Sequence, residues 1–343
     1  MPVRLNVAEL RSPDRRENEE FEALLLLKRC TERTARNGNP FYVAEFGDQH
    51  GSFTANVFAD SPACEALLAT EPGSVVHISG KVESYQGRFS PRINTVRKVS
   101  EDELQQLGGI ENLIETPPED GAALRRELEE AVTRITHERL RRTVELALEE
   151  VGDSFFTAPA AVSMHHAYRH GLVEHTVHMV RACEALLPLY PEVHADLARA
   201  GVIVHDIGKT IEYTDSLAPQ KTRTGILQGH VVLGYRIVRK AGMKARLDAD
   251  TLERLEHIVL SHQGELEWGA AAMAATPEAV FVSMIDNLDA RMGMVQRALR
   301  IGNDAEFSDY LPGLKAPLLR TPPAIAAAES AEQADLPLDD DTL

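Results

Sequence analysis

The segment "VIVHDIGKT", residues 202–210, decides how the second half of this chain folds. An apolar run that reads as the buried end of a helix stops on His205 and Asp206, with Gly208 and Lys209 just beyond. Neighbouring side chains on a helix diverge by ~100°, so an adjacent imidazole and carboxylate face one point only near a helix end. Gly208 is the expected stop signal. Lys209 then stands one turn beyond Asp206. It reads either as a helix-end lysine favoured by the dipole or as a positive charge placed for chemistry, and spacing leaves both open.

Outward from this segment, residues 160–310 are helix-like, with breaks at Pro188, Pro191, Gly208, Gly264 and Pro277. Histidines recur through them in order. His175 sits inside an amphipathic helix in "GLVEHTVHMV", His230 opens one in "QGHVVLGYRIV", and His262 ends one in "LERLEHIVLSHQG". Asp286 lies mid-helix among apolar neighbours in "AVFVSMIDNLDARM", where an unpaired carboxylate is costly. Taken singly, each histidine is as readily a surface or satisfied core residue. Together, imidazoles and carboxylates contributed by successive helices are how helical bundles build a metal centre. A donor set without thiolate suits Mn, Fe, Zn or Mg.

The 343 residues are long enough for two domains. A 43% hydrophobic and 26% charged composition is that of a globular protein, and no apolar run approaches the roughly 20 residues of a membrane span. The N-terminal stretch has no apolar core of a secretory signal. Cys30, Cys64 and Cys183 are too scattered for a disulfide framework, which fits a reducing cytoplasm. The net charge of −17 excludes coating of nucleic acid by bulk electrostatics, so any polyanion site must be a local basic patch.

Such a patch is present near the N-terminus. Lys28, Arg29, Arg33 and Arg36, then Lys81, Arg88, Arg92, Arg97 and Lys98, are interleaved with Phe41, Tyr42, Phe53, Phe58, Tyr85 and Phe89. Short strand-like runs with glycine-marked turns over residues 21–100 predict a small β-barrel of OB-fold size, although an open sandwich would share the pattern. About half the aromatics should be core. Tyr85 and Phe89, near a turn, are the better stacking candidates for single-stranded nucleic acid. The division expected is an N-terminal extension (1–20), the barrel (21–100), a helical connector (101–150), an all-α metal-binding domain (151–318) and an acidic, disordered tail (319–343). The connector carries an apolar stripe of Leu124, Leu128, Ala131, Val132, Ile135 and Leu140. The fold class is thus multi-domain α+β, a β-barrel followed by a helical bundle.

The order H…HD…H…H…D resembles the HD-domain metal-dependent phosphohydrolase superfamily. The segments "FFTAPAAVSMHHAYRHGLVEHT", "HDIGKTIEY", "GHVVLG", "LSHQGELEWGA" and "TPEAVFVSMIDNLDA" resemble the YhaM family of 3′-5′ exoribonucleases. So does "LLLLKRCTERTARNGNPFYVAEFGD", which matches that family's OB-fold domain. The resemblance covers about residues 20–315. It implies that His175, His205, Asp206 and Asp286 surround one ion, and that Asp206 bridges to a second held by His230 and His262. The cofactor implied is a pair of divalent ions, manganese first, with Fe, Zn, Co or Mg as alternatives. Lys209 becomes a catalytic candidate beside Asp206. This chain departs from the family pattern at Gln263, where many relatives have histidine, and at His170, where glycine is usual.

Other assignments are weaker. His165, His166 and Arg169 are placed to reach substrate phosphate, or simply form a polar loop. His178 is expected to pack or face solvent, while Tyr213 and Trp268 read as core before they read as base platforms. The partner implied is single-stranded RNA, with single-stranded DNA second. No membrane is implied, and homo-oligomeric assembly is left open. A phosphohydrolase of small nucleotides and a strand-binding protein with a non-catalytic HD domain remain the competing readings.

Overall fold

The computed structural model describes residues 3–12, 14–36, 38–85, 88–106, 113, 119–161, 168–300 and 306–321. The N-terminal part is a β structure. Strands β1 (Val3–Arg4), β2 (Glu20–Thr34), β3 (Pro40–Asp48), β4 (Gly51–Phe58), β5 (Val75–Lys81) and β8 (Arg92–Lys98) form one sheet in the order β4-β3-β2-β5-β8, with β1 added parallel to β2. All other pairings in that sheet are antiparallel. β4 also comes up against β8, and a small hairpin of β6 (Ser84–Tyr85) and β7 (Arg88–Phe89) projects between β5 and β8. Helix α2 (Cys64–Leu68) lies between β4 and β5 and buries Leu67.

Residues 3–10 are not a separate extension. Leu5, Val7 and Leu10 are buried in the same core as Phe21, Leu25, Phe46 and Ile78. Helix α1 (Val7–Leu10) is closed by a capping box of Asn6 and Glu9, and the Val7 N–H donates to buried Asp48 at 2.8 Å. The N-terminal β structure therefore includes β1 and α1.

After α3 (Glu101–Gln106), the helical part comprises α4 (Gly121–Thr133), α5 (Glu138–Val151), α6 (Ser154–Thr157), α7 (Gly171–Leu186), α8 (Ala195–Val204), α9 (Lys209–Glu212), α10 (Arg223–Ala245), α11 (Ala249–Ser261) and α12 (Pro277–Arg300). The stripe expected on a connector is real, but α4 and α5 are integral to the bundle. Leu124, Leu128, Ile135, Leu140 and Val144 share one buried core with Val177, Ile203, Val238, Ile258 and Val282. α4 packs on α7, and α5 packs on α8 and α10. Residues after α12 are also ordered among themselves. Ser308 N–H donates to Leu318 O and Arg320 N–H to Glu306 O, so residues 306–320 fold back on themselves across the boundary placed at 318. Residues 322–343, most of the expected acidic tail, lie outside the described residues. No described helix is long and apolar enough to cross a membrane.

Candidate metal centre

The "HDIGK" turn is where the bundle converges. α8 ends at Val204, and His205 and Asp206 occupy the turn beyond it, both buried. Gly208 is not the left-handed stop expected of it, for its φ is −65°. Its role is close approach. A Cβ there would lie 2.0 Å from His230 O and 2.6 Å from Gly234 N, so the turn rests directly on the backbone of α10. That contact brings Asp206 to His230. α10 is itself broken at Gly229, whose φ of +69° only glycine adopts without strain, and the second half starts on His230.

Two groups of side chains each bring ligand atoms within 4.8 Å of one another: His175 with His205 and Asp286, and Asp206 with His230 and His262. Asp206 faces both. Its Oδ2 is 3.3 Å from His205 Nε2 and 3.7 Å from His175 Nε2, and its Oδ1 is 3.5 Å from His230 Nε2 and 3.4 Å from His262 Nε2. His175 Nε2 is also 3.3 Å from Asp286 Oδ1.

Each imidazole is held by its other nitrogen. His175 Nδ1 is 2.6 Å from Asp289 Oδ2, and His230 Nδ1 is 2.8 Å from Glu212 Oε2. His205 Nδ1 reaches Val202 O at 2.9 Å, and His262 Nδ1 reaches Val259 O at 2.7 Å. Carbonyls and carboxylates only accept, so all four Nδ1 atoms carry hydrogen and all four Nε2 atoms turn inward as ligands. His175 Nε2 and His205 Nε2 are 3.2 Å apart. Two lone pairs at that separation require a shared positive charge, a proton or a cation.

The charges agree. Burial alone would depress His175, but the carboxylates of Asp286 and Asp289 outweigh it and push the imidazole up to about 10. Burial opposes ionisation of Asp286, yet the hydrogen bond from His175 and the facing imidazoles hold it at about 2. Asp206 is likewise held well below the carboxylate range against its burial, chiefly by the charge of Lys209. Asp206 Oδ1 is buried and makes no hydrogen bond, which a proton cannot explain for a group so acidic but a cation would. The donor set therefore fits divalent metal.

Of the remaining candidates, Lys209 is buried, with Nζ 2.5 Å from Asp206 Oδ2. Gln263 lines the second group. Its amide nitrogen is 3.1 Å from His230 Nε2 and 3.2 Å from His262 Nε2. If the group of Asp206, His230 and His262 holds an ion, Gln263→His should tighten its binding about tenfold, because imidazole is the stronger donor. A manganese titration checks this, and an unchanged isotherm would mean that position 263 does not border the ion. His170 has φ +68°, which explains why a glycine is usual there. Arg169 is exposed at the cleft between barrel and bundle, with Lys28, Thr157 and Thr214. His165 and His166 lie outside the described residues, as do the side chains of Tyr85 and Arg88.

Sequence reasoning missed the tethers Asp289 and Glu212. A second acid one turn after Asp286 on the same helix was the available signal for Asp289. His178, expected to pack or face solvent, contacts that tether, with Nδ1 3.3 Å from Asp289 Oδ1. Trp268, read as core, is 53% exposed.

On the barrel, the stacking assignment shifts. Phe89 is half-buried, edge-on to Phe53 at 5.3 Å, and packs against the barrel core. A partly exposed row of an arginine and two phenylalanines lies elsewhere. Cross-strand register aligns Arg33, Phe41 and Phe58 in one row over β2, β3 and β4. Phe58 is 54% exposed and 5.8 Å from Phe41. Arg33 and Arg36 are exposed at the end of β2, whereas Arg29, Lys81, Arg92 and Arg97 are engaged by Glu45, Glu20, Glu83 and Glu103.

The HD domain family matches residues 172–291, from the start of α7 into α12, and so contains all six ligand candidates. The 3′-5′ exoribonuclease YhaM of Geobacillus sp. (strain WCH70) is 31% identical over 297 residues, covering 87% of this chain and 90% of that protein. The chain belongs to the YhaM family. The match extends beyond the HD domain into the N-terminal β structure, since 87% of this chain is aligned. Like its YhaM relative it is a nuclease of the HD type, a metal-dependent hydrolase of phosphodiesters.

Proposed function

We propose that this chain degrades single-stranded RNA from the 3′ end to nucleoside monophosphates, with single-stranded DNA as a secondary substrate. The observation that carries the reading is Asp206, which turns one oxygen to each ligand group and so is built to bridge two cations. A manganese pair held by His175, His205, Asp286, His230, His262 and shared Asp206 would supply an acidified water and Lewis-acid bracing of the attacking and leaving oxygens. Lys209 Nζ lies against the bridging carboxylate. Arg169 and Lys28 line a cleft between the β structure and the bundle, with Asp215 beside them, and offer two cations to phosphates there.

The strand order, the helix between β4 and β5, and the approach of β4 to β8 support an OB-fold barrel, with the Arg33–Phe41–Phe58 row as the base platform. Stacking on such a platform contributes about 1–3 kcal/mol per base, so Phe58→Ala should weaken oligonucleotide binding by roughly tenfold.

The decisive assay uses single-stranded RNA labelled at its 5′ end. With Mn²⁺ the expected product is a ladder that shortens from the opposite end, and a chelator should stop it. An intact strand alongside rapid hydrolysis of a mononucleotide panel would replace this reading with that of a small-nucleotide phosphohydrolase.

A further inference from the structure

The loop between α9 and α10 carries no ligand, yet it touches both the barrel and the metal centre. Its neck is closed by the Thr222 N–H donating to Glu212 O at 2.8 Å and by the bridge between Tyr213 and Lys221. Its tip docks on the barrel. Ala218 is buried, with Leu217 beside it, in an apolar cluster formed by Leu26 of β2, Val75 of β5 and Val99 just after β8. Gln220 Nε2 donates to Lys28 O at 3.4 Å, and a Cβ on Gly73 would lie at an ordinary contact distance of 3.7 Å from Ala218 N.

At its base the loop reaches a metal ligand. Lys221 Nζ is 2.8 Å from Glu212 Oε1, and the other oxygen of the same carboxylate accepts from His230 Nδ1 at 2.8 Å. Glu212 is buried, whereas the Lys221 side chain is half-exposed. The other three imidazoles are tethered within the bundle, His175 by α12 and His205 and His262 by carbonyls of their own helices. His230 alone among them is tethered to a carboxylate, Glu212 at the end of α9, that a loop seated on the β structure also grips through Lys221, and it follows the break at Gly229, where α10 least constrains it.

From this juxtaposition we infer that Glu212 and Lys221 are positioning residues for His230, and that the loop makes the second half of the metal pair depend on the barrel being docked. The inference rests on the two-cation reading above. A barrel that shifts on the bundle would loosen one cation and leave the other in place.

The test is calorimetric titration of the full-length protein with Mn²⁺. The position without Asp286 has one carboxylate fewer and is the weaker. Leu217→Asp, which undocks the tip, and Lys221→Met, which removes a half-exposed side chain with little threat to folding, should each raise the weaker dissociation constant about tenfold or more. The tighter constant should stay within about twofold, and Lys221→Arg should behave like the parent. Unchanged constants in both variants would overturn the inference. So would an equal loss at both positions, which would mean that the loop merely supports the fold. A parent protein that binds a single Mn²⁺ would instead sink the two-cation reading itself, before any variant is compared.

Discussion

Asp206→Ala should reduce hydrolysis of single-stranded RNA by about 10⁴-fold, equivalent to ~5 kcal/mol of lost transition-state stabilisation. The size follows from geometry, because among the described residues no other side chain turns one oxygen to each group. The barrel row of Arg33, Phe41 and Phe58 is untouched, so strand binding should stay within about twofold. The same substitution strands Lys209, a buried ammonium whose partner is this carboxylate, at a cost of about 3 kcal/mol in stability. Asp206→Asn keeps the volume and removes the charge, and it separates the two effects. Single-turnover kinetics, metal content and thermal melting measured together decide the matter. If either variant retained a tenth of the activity with a full complement of metal, the bridging role would be lost.

The second large effect is expected at Gly208. A methyl group there would meet His230 O at 2.0 Å and Gly234 N at 2.6 Å, both backbone atoms inside α10 that no rotamer change can clear. Gly208→Ala should therefore cost about 3 kcal/mol in urea denaturation, or push α10 away and carry His230 out of reach of Asp206. Gly121 is the control. It opens α4, and a Cβ there would meet His170 no closer than 3.5 Å, so Gly121→Ala should be neutral or stabilising by up to ~1 kcal/mol. Equal stability of the two alanine variants would show that the turn does not bear on α10.

Much of the candidate ligand set was legible because its members sit at positions that patterning marks. His205 and His262 stand at helix ends, His230 at a helix start, and Asp286 inside an apolar stretch. The tethers were not. Val202 and Val259 act through carbonyl oxygens, which leave no trace in residue identity, and Glu212, at the end of α9, meets His230 only where α9 packs on α10. Gly208 was singled out for the wrong reason, since a stop and a close approach select the same residue and only the facing backbone distinguishes them. On the barrel, β2 carries an irregularity between Leu27 and Arg29. Inward positions run Phe21, Ala23, Leu25 and Leu27 before it, but Cys30 after it. Counting alternate residues through that point fails, which is why the aromatic row was not placed while the strands were.

The tethers of the four imidazoles sort by kind. Each half of the centre pairs one ring tied to a carboxylate, His175 or His230, with one tied to a peptide carbonyl, His205 or His262. A carboxylate makes its ring more electron-rich, so nitrogen donor strength is matched across the pair. What differs is formal charge, Asp286 on one side against the neutral amide of Gln263 on the other. If both groups hold an ion, the seat that lacks Asp286 should release its ion first, and a competing chelator should then empty the centre in two stages.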